Sequence, residues 1–253
     1  MFCADIVFLK ICCSLRTDVT IGEKVMRALV FGGTSSIGLE LALLLREKHD
    51  VWVAGRRGVK AAKHGLNFLP FYVDRENSVD ESLNHLYAGM TDMHFDLIVC
   101  ATGGFYRGGT ADMLSAEEVS MTLLLGLELP IAITRHALLL QGTIPELIIV
   151  GSISQYRRRD DETVYSATKA GLNMYAKCLA LDSRVGKMLM VAPAQMRKDL
   201  EDTSAKNLAK LDPRFVAAET IQAFREEFRY LALCIYRNPP HAEVIERSWA
   251  FLR

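Results

Sequence analysis

The apolar run Met26-Arg27-Ala28-Leu29-Val30-Phe31 breaks off at Gly32-Gly33-Thr34, and no other feature of the chain limits its fold so strongly. Such a run suits a strand buried on both faces of a parallel sheet, and glycines directly after it suit a tight turn into a helix. The helix follows over 39–48, which is rich in helix formers. Strand and helix signals then alternate. Strands are predicted at 51–54, 68–73, 95–101, 147–150 and 188–192, with helices over 78–86, from 115 and over 166–181. Ser78 with Glu81, and Ser115 with Glu118, have the spacing of a capping box. This alternation predicts one doubly wound, Rossmann-like α/β domain with a parallel sheet of six strands. Beyond Pro213 the pattern predicts a helix over 214–236, a break at Pro239-Pro240 and a last short helix to Arg253. Residues 1–25 stand outside the pattern as an N-terminal extension to a domain spanning 26–253.

Half of the 253 residues are apolar, enough for one large core. Thirty Lys and Arg balance thirty Asp and Glu, so no excess positive field is available for nucleic acid, and none is expected as a partner. Cys3, Cys12 and Cys13 crowd the extension, while Cys100, Cys178 and Cys234 are isolated in apolar runs, a usage that predicts reduced thiols and a cytoplasmic setting. No CxxC pair or His/Cys cluster has zinc-ligand spacing. The apolar stretch 6–15 follows Asp5, is interrupted by Lys10 and precedes no small-residue cleavage site, so it is not read as a secretion signal. The long apolar run 123–140 carries Glu128, Pro130, Arg135 and His136, which argues against a membrane span.

In a doubly wound fold the turn after the first strand binds a dinucleotide, because small residues let the backbone approach the pyrophosphate and the helix N-terminus offers free amides. Here it reads Gly32-Gly33-Thr34-Ser35-Ser36-Ile37-Gly38, with Ser36 where a second glycine usually stands. Glycines also serve strand-to-helix turns that bind nothing, so position at the head of the sheet carries the inference. The second strand ends in Ala54-Gly55-Arg56-Arg57. An acid there selects a ribose 2′-hydroxyl and a base selects a 2′-phosphate, so Arg56 and Arg57 point to NADP rather than NAD. Asp74 is placed to accept from the adenine amino group, or else caps a turn.

Tyr165-Ser166-Ala167-Thr168-Lys169 puts a phenol and an ammonium four residues apart on one helix face. A phenol is a poor proton donor and acceptor at neutral pH unless a nearby cation lowers its pKa, which is the role this spacing predicts for Lys169. Ser152 lies thirteen residues before Tyr165, just beyond a strand. Together these features resemble the short-chain dehydrogenase/reductase family, and the resemblance spans 26–237. It implies that Tyr165 donates a proton to a substrate carbonyl, Ser152 orients that oxygen, and Lys169 binds the nicotinamide ribose and tunes the tyrosine. Ser154 is the alternative serine. It further implies cofactor contacts from Gly32, Thr34, Ser35, Ser36, Ile37, Gly38, Arg56, Arg57, Asp74, Ala101, Gly103, Tyr165, Lys169 and Pro193. The expected activity is NADPH-dependent reduction of a small carbonyl compound, or the reverse, by a homodimer or homotetramer built on the helices around Leu123 and Asn173.

The chain departs from the family pattern in places. Ala101-Thr102-Gly103 keeps only the last glycine of the usual turn, Pro193 is followed by Ala194 rather than glycine, and Leu123 occupies the position of a catalytic asparagine. With Ser36, these departures motivate a second reading, a catalytically weak dinucleotide-binding or scaffold protein. His136 reads as a packed histidine, and Arg157-Arg158-Arg159 before Asp160-Asp161-Glu162 as a charge-compensated loop within reach of an anionic substrate. The segment near Phe105-Tyr106 and the polar stretch 195–211 are the expected pocket wall and lid, and neither identifies a substrate.

Overall fold

The computed structural model describes residues 25–73, 78–90, 93–103, 109–197, 204 and 209–249. β1 (Met26–Phe31), β2 (His49–Gly55), β3 (Asn67–Pro70), β4 (Leu97–Cys100), β5 (Ile144–Val150), β6 (Val185–Pro193), β7 (Tyr230–Tyr236) and β8 (His241–Ser248) form one sheet in the order β3-β2-β1-β4-β5-β6-β7-β8. β1 to β7 pair in parallel, and β8 runs antiparallel to β7. In β1 the alternate residues serve opposite layers: Ala28 and Val30 pack with Leu41 and Val216, while Leu29 and Phe31 pack with Leu83, Ile133 and Leu172. A strand covered on both faces has no polar position to spare, which is why 28–31 reads as an unbroken apolar run.

The helices are α1 (Ser36–Leu45), α2 (Val59–Lys63), α3 (Val79–Ala88), α4 (Ala116–Leu123), α5 (Leu129–Gln141), α6 (Thr163–Leu179) and α7 (Pro213–Phe224). Both capping boxes are formed: Ser78 and Ser115 accept from the amides of Glu81 and Glu118, whose carboxylates accept from the serine amides. A π turn at Leu124–Glu128 joins α4 to α5. Pro130 follows it and removes the amide that the Gly126 carbonyl would otherwise receive in a regular helix. Helix 116–141 is long and apolar enough to cross a membrane by length and composition alone, but Leu129, Ile133 and Ala137 belong to the core under the sheet.

The carboxyl end of the chain differs from expectation. The helix predicted over 214–236 stops at Phe224, and Tyr230–Tyr236 is a strand with six of its seven residues buried. A short apolar run covered on both sides has no periodicity to separate strand from helix. The short helix expected before Arg253 is instead β8, folded back on β7 so that Tyr236 pairs with His241. The sheet therefore has eight strands rather than six. Apart from Val25, the N-terminal extension lies outside the described residues.

Strands β1, β2 and β3 step one way across the sheet and β4 to β7 step the other, so the winding reverses between β1 and β4. Connections leave that point on opposite faces and open a crevice at the carboxyl ends of the strands.

Candidate functional site

The glycine turn lies at that crevice, and its parts are fitted to one another. Gly32 has φ +80, and a side chain on it would meet the Ala101 carbonyl oxygen at 2.4 Å, so the turns after β1 and β4 touch backbone to backbone. A side chain at Gly38 would meet the Gly32 oxygen at 2.4 Å, which requires glycine where α1 presses on the turn. Thr34 packs its hydroxyl and methyl against Gly55 at the end of β2. Ser35 stands at the N-cap of α1 without capping it, and the first turn holds no acidic residue. Ile37 is buried, and Ser36 is exposed with φ +49, in the left-handed region. The serine is thus held in a conformation that favours glycine.

Arg56 and Arg57 follow β2 and are exposed; among the described residues neither pairs with a carboxylate. Arg56 lines a groove with Gly55, Phe71, Tyr72, Glu81 and His85, and Arg57 is not among its walls. Phe71, Tyr72 and His85 carry no motif, and only the sheet order brings them beside Arg56. Asp74 lies outside the described residues, as do Phe105 and Tyr106.

Ser152, Tyr165 and Lys169 come together at the far side of the crevice. Ser152 is the first residue beyond the Val150-Gly151 end of β5, and α6 carries Tyr165 and Lys169 one turn apart. The Ser152 side chain acts on the Tyr165 phenol and draws its pKa down, and Lys169 Nζ lies 5.7 Å from the Tyr165 ring centroid. Lys169 is 2% exposed. A methyl group on Gly103, itself at φ +94, would lie 2.8 Å from Lys169 Nζ and 3.2 Å from the Leu125 carbonyl oxygen, so the ammonium and the π turn both close on the turn after β4. Burial holds it down at about 8. The phenol behaves opposite to the expectation from spacing: its pKa is raised, chiefly by burial and further by the Glu162 charge, while Ser152 pulls it down. A buried ammonium is too weakly placed to offset that desolvation in the ligand-free fold.

Leu123, expected at the asparagine position, is 40% exposed at the end of α4, and it is the Leu125 carbonyl that lies against the Gly103 turn. Ala101 and Gly103 sit in the turn after β4, where Thr102 Oγ1 is buried and has no hydrogen-bond partner among the described residues. Pro193 ends β6 opposite Ile235 of β7, with Ala194 donating to the Ile235 carbonyl. The two ends of the expected lid are tied by Met196 pairing with Leu211 and Arg197 with Asp212; most of 198–208 lies outside the described residues. His136 is a packed histidine between the Ala132 carbonyl and Asn84.

The sequence reading missed Glu162, which had been placed in a solvated charged loop. It is 8% exposed and accepts from Ser154 Oγ at 2.6 Å, and Arg159 reaches it at 3.3 Å. The only signal for it was its place three residues before Tyr165, at the N-cap of α6. Among the described residues no group of three or more His, Cys, Asp or Glu side chains is placed to hold a metal ion. The glycine cradle, an uncapped helix start, an unpartnered threonine hydroxyl and a lysine buried without a neighbouring carboxylate among the described residues all fit a dinucleotide with a ribose near Lys169.

A family model described as short chain dehydrogenase matches residues 26–208. A 3-oxoacyl-[acyl-carrier-protein] reductase of Homo sapiens is 31% identical over 209 residues, covering 76% of this chain and 85% of that protein. Carbonyl reductase family member 4 of Danio rerio is 30% identical over 200 residues, covering 72% and 80%. Among solved structures, a short chain dehydrogenase from Burkholderia cenocepacia in complex with NADP superposes with a TM-score of 0.66 at 21% identity, covering 83% of this chain and 95% of the other. A short-chain dehydrogenase from Streptomyces avermitilis gives 0.69 at 20% identity, covering 84% and 88%.

Two predictions come from this geometry. A serine at φ +49 costs about 1 kcal/mol more than glycine, so Ser36→Gly should raise the melting temperature by roughly 2–4 °C. An unchanged or lower value in a thermal melt contradicts the left-handed assignment. For Lys169, the folded state holds its proton less tightly than the unfolded chain, so stability rises with pH between about 8 and 10.5 and the full cost persists below about 8. Lys169→Met should therefore stabilise the fold by on the order of 3 kcal/mol at pH 7, with the gain shrinking toward pH 10. Urea unfolding at pH 7 and pH 10 checks this, and a gain independent of pH contradicts it.

Proposed function

Because the chain belongs to the short-chain dehydrogenase family of oxidoreductases, we propose that it uses NADP to interconvert a small carbonyl compound and its alcohol, with NADPH-driven reduction as the favoured direction. The observation that carries this reading is the convergence of Ser152, from the end of β5, with Tyr165 and Lys169, from α6, at the crevice. The bound nicotinamide would supply or accept the hydride. The chain's own residues handle the oxygen of the substrate. Tyr165 holds the proton that the carbonyl oxygen takes up, and its phenol is half-buried, so a substrate able to reach it also excludes water from it. Ser152 draws the pKa of the phenol down. Lys169 stands ready to hold ribose hydroxyls, and its charge, once partnered, stabilises the phenolate left after proton transfer.

The names of the human and zebrafish relatives, a 3-oxoacyl reductase and a carbonyl reductase, support a carbonyl substrate. Arg56 beside an open groove supports NADP over NAD, since a guanidinium meets a 2′-phosphate with paired hydrogen bonds. We read Leu123 and Met174, apolar and 40% and 60% exposed, as part of an interface between copies of this chain; Asn173, expected there, is buried and bonded to Tyr156. Cys100, Cys178 and Cys234 are free thiols, in keeping with a cytoplasmic setting.

Turnover of a panel of carbonyl compounds with NADPH tests the activity. Tyr165→Phe should lower kcat by at least about a hundredfold while NADPH affinity stays within a few-fold. Cofactor binding with no turnover in the parent would favour the scaffold reading instead. The coenzyme preference rests on Arg56: losing a charge-assisted contact should weaken NADPH binding about tenfold to a hundredfold in Arg56→Ala and leave NADH almost unaffected. Equal affinity of the parent for both coenzymes would overturn the assignment.

A further inference from the structure

The groove beside Arg56 has a second wall, which α3 supplies. It holds about 640 Å³ at the carboxyl ends of β2 and β3, and its walls include Gly55, Arg56, Phe71 and Tyr72 from the strand ends and Ser82 and His85 from α3. Ser82 and His85 are three residues apart, so the helix presents both on one face. The wall stands at the β3 edge of the sheet, with β1 and β4 between it and β5, from whose end Ser152 comes.

The charges in the groove favour an anion. Among the described residues the side chains of Arg56, Ser82 and His85 have no hydrogen-bond or ion-pair partner. The acids of α3 are committed elsewhere. Glu81 borders the groove, but its Oε2 accepts from the Ser78 amide at 3.0 Å and from the Ser78 hydroxyl at 2.9 Å at the helix start. Asp80 pairs with Arg135 and His136 of α5. An imidazole donates a hydrogen bond in either protonation state and adds a charge when protonated, and a serine hydroxyl donates one more. Beside these donors Tyr72, 54% exposed, offers a flat face on which a purine can stack.

We propose that His85 is a specificity-determining residue for the coenzyme: with Ser82 it closes on the 2′-phosphate of NADP from the α3 side while Arg56 holds it from the end of β2, and Tyr72 takes the adenine. This rests on the reading of Arg56 as the residue that meets that phosphate. One exposed arginine holds a phosphate weakly, because both groups stay in water and salt screens them. Two donors on separate elements fix the phosphate in place and satisfy more of its oxygens. NAD brings only a hydroxyl to the same wall, so His85 and Ser82 add little to its binding. The adenine is common to both coenzymes, and Tyr72 serves them equally. The two contributions are therefore separable by ligand.

The test is calorimetric titration of the full chain at about pH 6.5 in low salt, where an imidazole carries a substantial share of its charge. The ligands are NADPH and NADH, and the nicotinamide-free pair adenosine 2′,5′-bisphosphate and adenosine 5′-monophosphate. His85→Gln should weaken NADPH and the bisphosphate about threefold to tenfold and leave NADH and the monophosphate within about twofold. His85→Lys, which keeps a cation on the same helix face, should retain the preference of the parent for the phosphorylated member of each pair. Tyr72→Ala should weaken all four ligands by a similar factor. Both residues are exposed, and thermal melts show that each variant is folded. An equal loss for both members of a pair in His85→Gln, or no loss, overturns the role of His85. Binding unchanged in Tyr72→Ala overturns the placement of the adenine. A parent that prefers the phosphorylated ligands, loses that preference in Arg56→Ala and keeps it in His85→Gln would leave the reading of Arg56 standing and overturn this inference alone. A parent without any preference would overturn both.

Discussion

The constraint from which the site follows is an ammonium group buried where nothing anionic meets it among the described residues. Lys169 is almost wholly enclosed, with the Gly103 turn and the Tyr165 ring beside it, and its pKa of about 8 reflects that desolvation. A core built for stability alone would not keep a charge in such a place, since an unpaired buried ion costs several kcal/mol. The surrounding glycine, the irregular turn between α4 and α5 and the close pairing of β1 with β4 are what make room for it. That penalty is the observation on which the proposal of a cofactor beside Lys169 rests.

The same logic holds at the other end of the crevice. Ser36 keeps a backbone conformation that glycine would adopt at lower cost, and Gly32 and Gly38 admit no side chain because carbonyl oxygens lie 2.4 Å from where one would begin. The turn is shaped by contacts with the Ala101 turn and with α1, and the uncapped first amides of α1 are the result. A strained turn at an uncapped helix start is the geometry on which the proposed dinucleotide site rests.

Much of this was legible before any coordinates. Alternating apolar runs gave β1, β2, β4, β5 and β6, and the capping boxes at Ser78 and Ser115 marked two helix starts to the residue, because both are local features with a chemical signature. What could not be read was decided by packing. Tyr230–Tyr236 is a strand because β6 is beside it, and Glu162 is buried because α6 folds its first turn under Ser154. Neither fact has a counterpart in periodicity. The depressed tyrosine pKa expected from spacing failed for the same reason: four residues along a helix bring Lys169 near Tyr165, but burial of both groups, which spacing does not report, outweighs their attraction.

The central claim is that Lys169 is held ready for a dinucleotide. Calorimetric titration with NADPH near pH 8, repeated in buffers of different ionisation enthalpy, measures the protons taken up on binding. With its pKa at about 8, Lys169 is about half protonated there, and new hydroxyl and phosphate neighbours should complete its charge. Uptake of up to about half a proton by the parent, and its disappearance in Lys169→Met, is the predicted result. Binding with the same proton count in both proteins would contradict the account.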